Sequence, residues 1–236
     1  MERFGIIVPS SNTTIEKEFN EKLRQTATVH TARIRLKAVN IEELSRFEND
    51  VVEETEKLAD AGVDVIGLGC TSGSFVKGSR QYVELERIME EVSGVPCVTA
   101  SGSVVRALKT LGSRSLALVT PYTEEVSKLE EQLLNDHGFL VKARRYAGIV
   151  ENTVIGRVAE DEVAKWVEGL DDRDFDTVFI SCTNLRTFGI LESLESSLKV
   201  PVISSNSAIL WDMIQRSGLP KLKLGLGRLY EMTPYL

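Results

Sequence analysis

Similar residues recur in similar settings at a constant spacing of 112 positions, and this spacing restricts the folds open to the chain. Cys70 and Cys182 (182 − 70 = 112) each follow an apolar run, in VIGLGCTSGS and VFISCTNLRT, and each precedes a threonine. Three further pairs share the spacing: Pro9 with Pro121, Asn40 with Asn152, and Asp64 with Asp176. We interpret four matches at one spacing as an internal duplication into two halves of similar size.

Short β-branched runs alternate with longer segments of helical periodicity along the whole chain. The predicted strands are Phe4–Val8, Val29–Leu36, Val63–Leu68, Pro96–Thr99, Leu116–Thr120, Phe139–Arg145, Val178–Ser181 and Pro201–Ile203. The predicted helices are Ile15–Arg24, Val51–Ala61, Gln81–Val92, Val104–Leu111, Glu124–His137, Asp161–Leu170, Phe188–Leu198 and Ala208–Arg216. Nearly unbroken apolar strands in such an alternation predict an α/β fold, with parallel sheets covered by helices on both faces.

Charge and composition exclude several classes of partner. The 236 residues carry a net charge of −7, so no excess of Lys and Arg is available to neutralise phosphates, and we expect no nucleic-acid partner. No apolar stretch approaches the roughly 18–20 residues that cross a bilayer, and the N-terminal residues lack a signal-peptide pattern, so we expect no membrane partner. Three cysteines without a disulfide-like spacing indicate a cytoplasmic protein with reduced thiols.

The two matched cysteines are the strongest functional signal. Ligands of open α/β sheets bind outside the carboxyl ends of the strands, so a duplicated pair of sheets would place Cys70 and Cys182 on opposite walls of one cleft. Backbone N–H groups at the following helix starts favour the reactive thiolate. Side-chain donors follow each thiol and suit a carboxylate or developing enolate oxygen. Free cysteines are more often small core residues, which is our interpretation of Cys97.

Motifs for metals, dinucleotides and phosphates are incomplete in this sequence. Zinc requires four N, S or O ligands, and the two histidines, His30 and His137, are not spaced with a cysteine or carboxylate as a ligand pair. GLGCTS and GLGRLY lack the third glycine of a dinucleotide fingerprint, and GSFVKGSR has Ser79 where a phosphate-binding loop requires lysine. We therefore expect no metal ion and reject the dinucleotide and phosphate motifs.

Four motifs in order give the chain a resemblance to a known family. PSSNTT, GCTSGS, LVTPYT and SCTNLRT are similar to those of maleate cis–trans isomerases of the aspartate/glutamate racemase superfamily. The resemblance implies two pseudo-symmetric Rossmann-like lobes, no cofactor, an active site between the lobes, and a homodimer. It also implies that the C-terminal segment returns to the first lobe, giving lobes of residues 1–98 plus 206–236 and of residues 99–205.

The resemblance also assigns roles to individual residues. Cys70 matches the nucleophile and Cys182 the partner that gives and takes a proton. The positions that hold the substrate carboxylates are Asn12, Tyr122 and Asn152, and those in the oxyanion loops are Thr71, Ser72, Thr183 and Asn184. Plainer interpretations remain for three of them: Asn12 or Asn152 as a helix cap, and Tyr122 as a lid over the cleft or a packed aromatic. A capping box of Thr13 and Glu16 is also plausible for the first helix.

The implied reaction is conversion of maleate to fumarate through a covalent cysteine adduct. A two-cysteine racemase or epimerase uses the same pair of thiols, but PSSNTT contains no carboxylate to hold an α-ammonium group. An arylmalonate decarboxylase needs only the second cysteine, and the presence of Cys70 argues against it. A non-catalytic module that closes on a dicarboxylate, and a redox-sensing cysteine pair, are alternatives from other classes.

Overall fold

The computed structural model describes residues 1–47, 50–220 and 222–232 and contains two four-stranded parallel sheets. The first has the order β2-β1-β3-β4 and the second the order β6-β5-β7-β8. The strands are β1 Glu2–Pro9, β2 Ala27–Ile34, β3 Val65–Leu68, β4 Cys97–Thr99, β5 Ser115–Thr120, β6 Leu140–Tyr146, β7 Thr177–Ile180 and β8 Val202–Ser204. All eight correspond to predicted strands, and the two halves of the duplication have the same strand order. The predicted α/β class is confirmed.

Helices flank both sheets. They are α1 Ile15–Leu23, α2 Ile41–Phe47, α3 Val51–Asp60, α4 Gln81–Ser93, α5 Ala100–Leu111, α6 Glu124–Asp136, α7 Asn152–Ile155, α8 Glu160–Glu168, α9 Leu191–Leu198 and α10 Ser205–Arg216, with 3₁₀ turns at Ser72–Ser74 and Arg228–Glu231. The short helices α2 and α7 were not predicted. Within the described ranges, none of the helices has the length and apolar character that crossing a bilayer requires.

The central strand of each sheet is buried. Phe4, Ile6, Ile7 and Val8 of β1 are fully buried, as are residues 116–119 of β5, because helices cover both faces.

The paired aspartates fix the beginning of these strands. Asp64 accepts a hydrogen bond from the Arg3 amide at 2.7 Å, and Asp176 accepts from the backbone amides of residues 114 and 115 at 2.9 and 3.0 Å. This pair of the duplication is therefore structural.

The two halves meet through equivalent segments of the duplication. The backbone amide of Val39 donates to the carbonyl of Val150 at 2.9 Å, and Ala38 forms an isolated antiparallel bridge with Glu151. Residues 38–39 and 150–151 are related by the spacing of 112 positions, so each half supplies the same part of its chain. The contact is approximately symmetric and lies beside the carboxyl ends of the strands.

Helix α10 follows β8 but packs on the first sheet. A Cβ atom at Gly67 of β3 would lie 2.7 Å from the Met213 sulfur and 3.2 Å from a methyl carbon of Ile209, so the glycine permits this close approach. This contact supports the prediction that the C-terminal segment, from residue 206 onward, returns to the first lobe. Helix α10 begins one residue earlier, at Ser205. The lobe boundaries stay a prediction, and positions 48, 49, 221 and 233–236 of the first lobe lie outside the described residues.

Removal of the Met213 side chain should test the packing of α10 on the first sheet. Met213 is fully buried, so Met213→Ala is expected to lower the free energy of unfolding by about 2–5 kcal/mol. Val83→Ala, at a half-exposed position of α4, is the control and should change it by less than about 0.5 kcal/mol. Urea denaturation measures both, and equal losses would contradict the packing described.

Candidate active site

The two matched cysteines lie at the carboxyl edges of the two sheets. Cys70 stands two residues beyond the end of β3, and Cys182 stands two residues beyond the end of β7. Both side chains are buried. Cys97 instead begins β4 at the opposite edge of the first sheet, where its sulfur lies 3.4 Å from the Val95 carbonyl oxygen. That position agrees with its interpretation as a core residue.

Hydrogen bonds tie the two cysteine loops to one another. The Thr183 hydroxyl donates to the Gly69 carbonyl at 2.8 Å. On the other side, the Ser205 hydroxyl oxygen accepts from the Thr71 hydroxyl at 2.9 Å and from the Cys182 amide at 3.0 Å. The two thiols are close enough for the charge of one to raise the pKa of the other. The loops that were predicted to face each other do so.

Cys182 adopts a backbone conformation that is rare for a residue with a side chain. Its φ of +98° lies in the region that favours glycine, and such strain persists only where surrounding contacts enforce it. The bond from its amide to Ser205 is one such contact, and the Asn184 amide lies 3.4 Å from the Cys182 sulfur. The conformation thus directs the thiol toward backbone donors of its own loop.

Burial raises the pKa of both thiols. Removal from water raises the pKa of Cys70 to about 12, against the opposing effect of hydrogen bonds from the Gly73 amide and Ser72. Burial likewise raises the pKa of Cys182 to about 11, although the backbone of Asn184, the Tyr122 hydroxyl and another loop amide lower it. The expectation that local donors make the thiolate the favoured form is therefore wrong for this structure, because desolvation exceeds their contribution.

Asn12 links the first lobe to the second. Its side-chain carbonyl oxygen accepts from the amides of Thr14 and Ile15 at 2.9 and 3.2 Å, which caps α1, and its amide group donates to the Thr183 hydroxyl at 3.1 Å. The capping box of Thr13 with Glu16 is wrong. The Thr13 amide donates to the Asn184 side chain, and Glu16 pairs with an arginine of β2.

Asn152, Asn184 and Tyr122 complete the interface. The Asn184 side chain donates to the Asn152 carbonyl at 2.7 Å, and the Asn152 side chain donates to the Ser11 hydroxyl at 2.8 Å. Tyr122 is buried beside Cys182 and hydrogen-bonds to its thiol, and burial raises the pKa of the phenol well above its usual range. The structure thus brings all nine predicted side chains to one interface, while their roles in a reaction stay predictions.

Several residues at this interface were not singled out from the sequence. Ser205 joins the two cysteine loops. Glu18 of α1 accepts from the amides of Thr187 and Phe188 at 2.6 and 3.0 Å and from the side chain of Asn206 at 2.6 Å. The two amide contacts cross the interface to the segment that follows Cys182, whereas Asn206 belongs to α10, which packs on the first sheet. A signal was available for one of them, because Glu18 recurs 112 positions later as Glu130.

The site combines two thiols with neutral hydrogen-bond donors. None of the nine predicted residues carries a permanent charge at neutral pH, and the donors are amides, hydroxyls and a phenol. Within the described ranges, no three His, Cys, Asp or Glu side chains are grouped so that they could hold a metal ion. Paired thiols and donors of this kind suit nucleophilic addition or proton transfer on a small carboxylate.

Two parallel sheets of equal order, each ending in a thiol that faces the other, define a duplicated α/β protein of the aspartate/glutamate racemase-like class. Residues 4–230 match the sequence model of the arylmalonate decarboxylase family. The chain belongs to that family. The earlier resemblance to maleate cis–trans isomerases is also confirmed by relatives that cover nearly the whole chain.

Relatives of both activities resemble this chain. A maleate isomerase of Pseudomonas putida is 28% identical over 240 residues, which cover 96% of each chain. An arylmalonate decarboxylase of Bordetella bronchiseptica is 32% identical over 186 residues, or 77% of each chain. A structure of Nocardia farcinica maleate cis–trans isomerase, a cysteine-to-serine variant with a covalently bound succinylcysteine intermediate, has a TM-score of 0.93 and 26% identity and covers 97% of this chain and 98% of its own.

The buried carboxyl group of Glu18 should make stability depend on pH. Burial raises its pKa to about 7 in the folded chain, so the folded state holds the proton more tightly than the unfolded state. The resulting stabilisation is complete below about pH 4.5 and is lost as the pH rises through about 7, a change of about 3 kcal/mol. Glu18→Gln is expected to remove this part of the pH dependence in urea unfolding.

Glu21→Gln is the matched control for that measurement. Glu21 lies on the same helix, is half-exposed, and pairs with Lys17 on the surface. Its variant should keep the pH dependence of the natural sequence. A Glu18→Gln protein whose unfolding free energy varies with pH as before would show that the carboxyl group is not held as described.

Proposed function

We propose that this protein is a cofactor-independent maleate cis–trans isomerase. The observation that carries the proposal is the meeting of Cys70 and Cys182 across one buried interface, with loops that bond to each other on both sides. Relatives named maleate isomerase, and the succinylcysteine adduct described for one of them, support it. A structural or redox role would require neither the matched loops nor the surrounding donors.

The proposed reaction begins with the thiolate of Cys70. Its sulfur bonds to one alkene carbon of maleate while the π electrons move to the other carbon, which takes the proton of the Cys182 thiol. The former double bond is now single and rotates. Cys182 then removes a proton from that carbon, the C–S bond breaks, and fumarate leaves. Because elimination regenerates the Cys70 thiolate, the proton that solvent first removes from Cys70 is lost once and not in every turnover.

Neutral donors are proposed to stabilise the charge that develops during addition. Negative charge spreads from the attacked alkene onto a carboxylate oxygen, where positioned N–H and O–H groups stabilise it most. We assign this task to Thr71, Ser72, Thr183 and Asn184 in the two cysteine loops. Asn12, Tyr122 and Asn152 are proposed to hold the substrate carboxylates. Each lies within the same hydrogen-bonded interface as the thiols.

Decarboxylation of an arylmalonate is the second candidate. The family match and the relative from Bordetella bronchiseptica favour it. In that reaction the second cysteine alone supplies a proton to the carbanion left by loss of carbon dioxide. The presence of Cys70 favours the isomerase, because a thiol on the first wall has no task in decarboxylation. Racemisation of an amino acid uses both thiols and is kept as a further outcome of the assay.

The oligomeric state is proposed on the family resemblance, and the location on three cysteines that lack a disulfide-like spacing. We propose a homodimer in the cytoplasm. Light scattering of the purified chain tests the first of these, and a mass of one chain would exclude it.

Removal of either matched thiol should abolish most activity. Cys70→Ala and Cys182→Ala are each expected to lower the rate of fumarate formation by about 10²–10⁴-fold or more, since one loses the nucleophile and the other the proton donor. Cys97→Ala is the control and should keep nearly the full rate. Proton NMR follows maleate, a panel of D- and L-amino acids and an arylmalonate in parallel. Inert maleate with racemisation or decarboxylation would replace the proposal.

A covalent adduct should be observable directly. With maleate added, intact-mass spectrometry of Cys182→Ser is expected to show one added maleate, bound at Cys70. Water supplies the proton of the addition slowly, and the variant lacks the thiolate that removes it again to restart elimination. Cys70→Ser treated identically should show none at position 70. Adduct formation at Cys182 alone would exchange the proposed roles of the two cysteines.

A further inference from the structure

A buried carboxyl group lies behind the second thiol and has no role in the reaction above. Glu130 of α6 is fully buried. Its Oε1 atom accepts a hydrogen bond from the Ser181 hydroxyl at 2.6 Å, and its Oε2 atom has no hydrogen-bond partner in the described part of the chain. A buried carboxyl with one donor and one unpaired oxygen is costly to maintain, so its presence calls for an explanation.

Of the two cysteine loops, Glu130 is connected to that of Cys182. Ser181, its hydrogen-bond partner, directly precedes Cys182, and the Tyr122 side chain bonds with both Ser181 and Cys182. A negative charge on Glu130 raises the pKa of the Cys182 thiol and of the Tyr122 phenol. The charge that acts on Cys70 is that of Cys182. Glu130 therefore distinguishes between the two thiols.

The other half of the duplication lacks this connection. Glu18 is the counterpart of Glu130, but three donors occupy its two oxygens: the Thr187 and Phe188 amides across the interface and the Asn206 side chain of α10. The counterpart of Ser181 is Gly69, which has no side chain to link a carboxyl group to the first cysteine loop. The same buried glutamate thus serves lobe contact in one half and adjoins the thiol loop in the other.

We propose that Glu130 is a positioning residue for the isomerisation proposed above: through Ser181 and Tyr122 it opposes ionisation of Cys182, and so reserves the thiol proton for transfer to the substrate. The inference rests on the proposed function for its role in the reaction. Its effect on the thiol itself does not depend on which substrate is used.

The groups that face Cys182 explain why such an effect is needed. They are the thiol of Cys70, the Tyr122 phenol and the Glu130 carboxyl, together with backbone amides at 184 and 185. The amides and the phenol stabilise a thiolate at Cys182 and so lower its pKa. The Glu130 carboxyl opposes them, because a charge near Cys182 disfavours a second one.

The order of ionisation gives the carboxyl group its effect. Burial raises the pKa of Glu130 to about 8, which is still below that of either thiol. As the pH rises, Glu130 is therefore the first group near Cys182 to become negatively charged. Ionisation of Cys182 must then occur beside that charge. Burial, and after it repulsion by the charges of Cys182 and Glu130, raises the pKa of the Tyr122 phenol and keeps it a hydroxyl donor.

Single-thiol proteins test the proposal without substrate. Cys70→Ser with Cys97→Ser leaves Cys182 as the sole cysteine, and Cys97→Ser with Cys182→Ser leaves Cys70. Thiolate absorbance against pH gives the pKa of each. Adding Glu130→Gln is expected to lower the pKa of Cys182 by about 1 unit and to leave that of Cys70 unchanged. An unchanged Cys182, or an equal shift of both thiols, would overturn the proposal.

Two further variants separate charge from structure. Glu131→Gln is the matched control: Glu131 is the next residue of α6, pairs with Lys128 and Arg144, and should shift neither thiol. Ser181→Ala removes the donor to Glu130 and should lower the pKa of Cys182 in the same direction as Glu130→Gln by a smaller amount. If Glu130→Gln does not fold, Ser181→Ala serves as the test. An unchanged pKa of Cys182 in Ser181→Ala would then contradict the proposal.

The active enzyme supplies a separate readout. If the isomerase function holds, the limb of the kcat/KM profile that reports the Cys182 proton should move to lower pH in Glu130→Gln, and Glu130→Asp should restore it in part. Failure to isomerise maleate would refute the proposed function and leave the thiol titration as an independent result.

Discussion

The hydrogen bonds that join the two cysteine loops are the interaction on which the site depends. Each cysteine belongs to a different sheet, so nothing within a lobe fixes the distance between the sulfurs. The bond from Thr183 to the Gly69 carbonyl, and the two bonds that meet at Ser205, supply that constraint. All are buried and involve uncharged groups, where a hydrogen bond is strong and a lost partner is costly. The interface is therefore specified by polar pairing between the lobes.

Burial of the site has two opposing effects on the proposed addition of a thiolate to the substrate. It strengthens the donors around a developing anion, which favours an addition step, and it raises the pKa of both thiols, which disfavours the nucleophile. The enzyme we propose resolves this by retaining one thiolate through the cycle and keeping the second thiol protonated. The carboxyl group of Glu130 contributes to the second condition. The carboxyl group of Glu130 beside Cys182, in addition to the two thiols, then distinguishes the two halves of the duplication.

The sequence predicts the strands and the cysteine pair, because both are recorded in local patterns. Buried parallel strands are unbroken apolar runs, and the spacing of 112 positions aligned the two loops. The starts of α5 and α10 were placed three or four residues late, since their first turns contain small polar residues. Thr99 and Ser204 cap those turns by accepting from Gly102 and Ser207 amides, which makes them helical.

The features that sequence patterns missed depend on tertiary burial. Glu18 and Glu130 lie on amphipathic helices, where a glutamate is normally solvated, and only the assembled lobes enclose them. The reactive-thiolate expectation was wrong for the same reason, because donors next to a cysteine are visible in the sequence and the loss of water is not. Asn12 caps α1, as its plainer interpretation predicts, and also donates to Thr183, while its role as a substrate ligand stays a prediction.

The backbone contact between the lobes, at Val39 and Val150, is one of several sets of hydrogen bonds that hold the two lobes together. Separating the two thiol loops would break hydrogen bonds of Asn, Ser and Thr side chains and those that the Glu18 carboxyl accepts from Thr187 and Phe188, all of which water can replace. Because no ion pair among these residues has to be separated, ionic strength should have little influence on opening and closing.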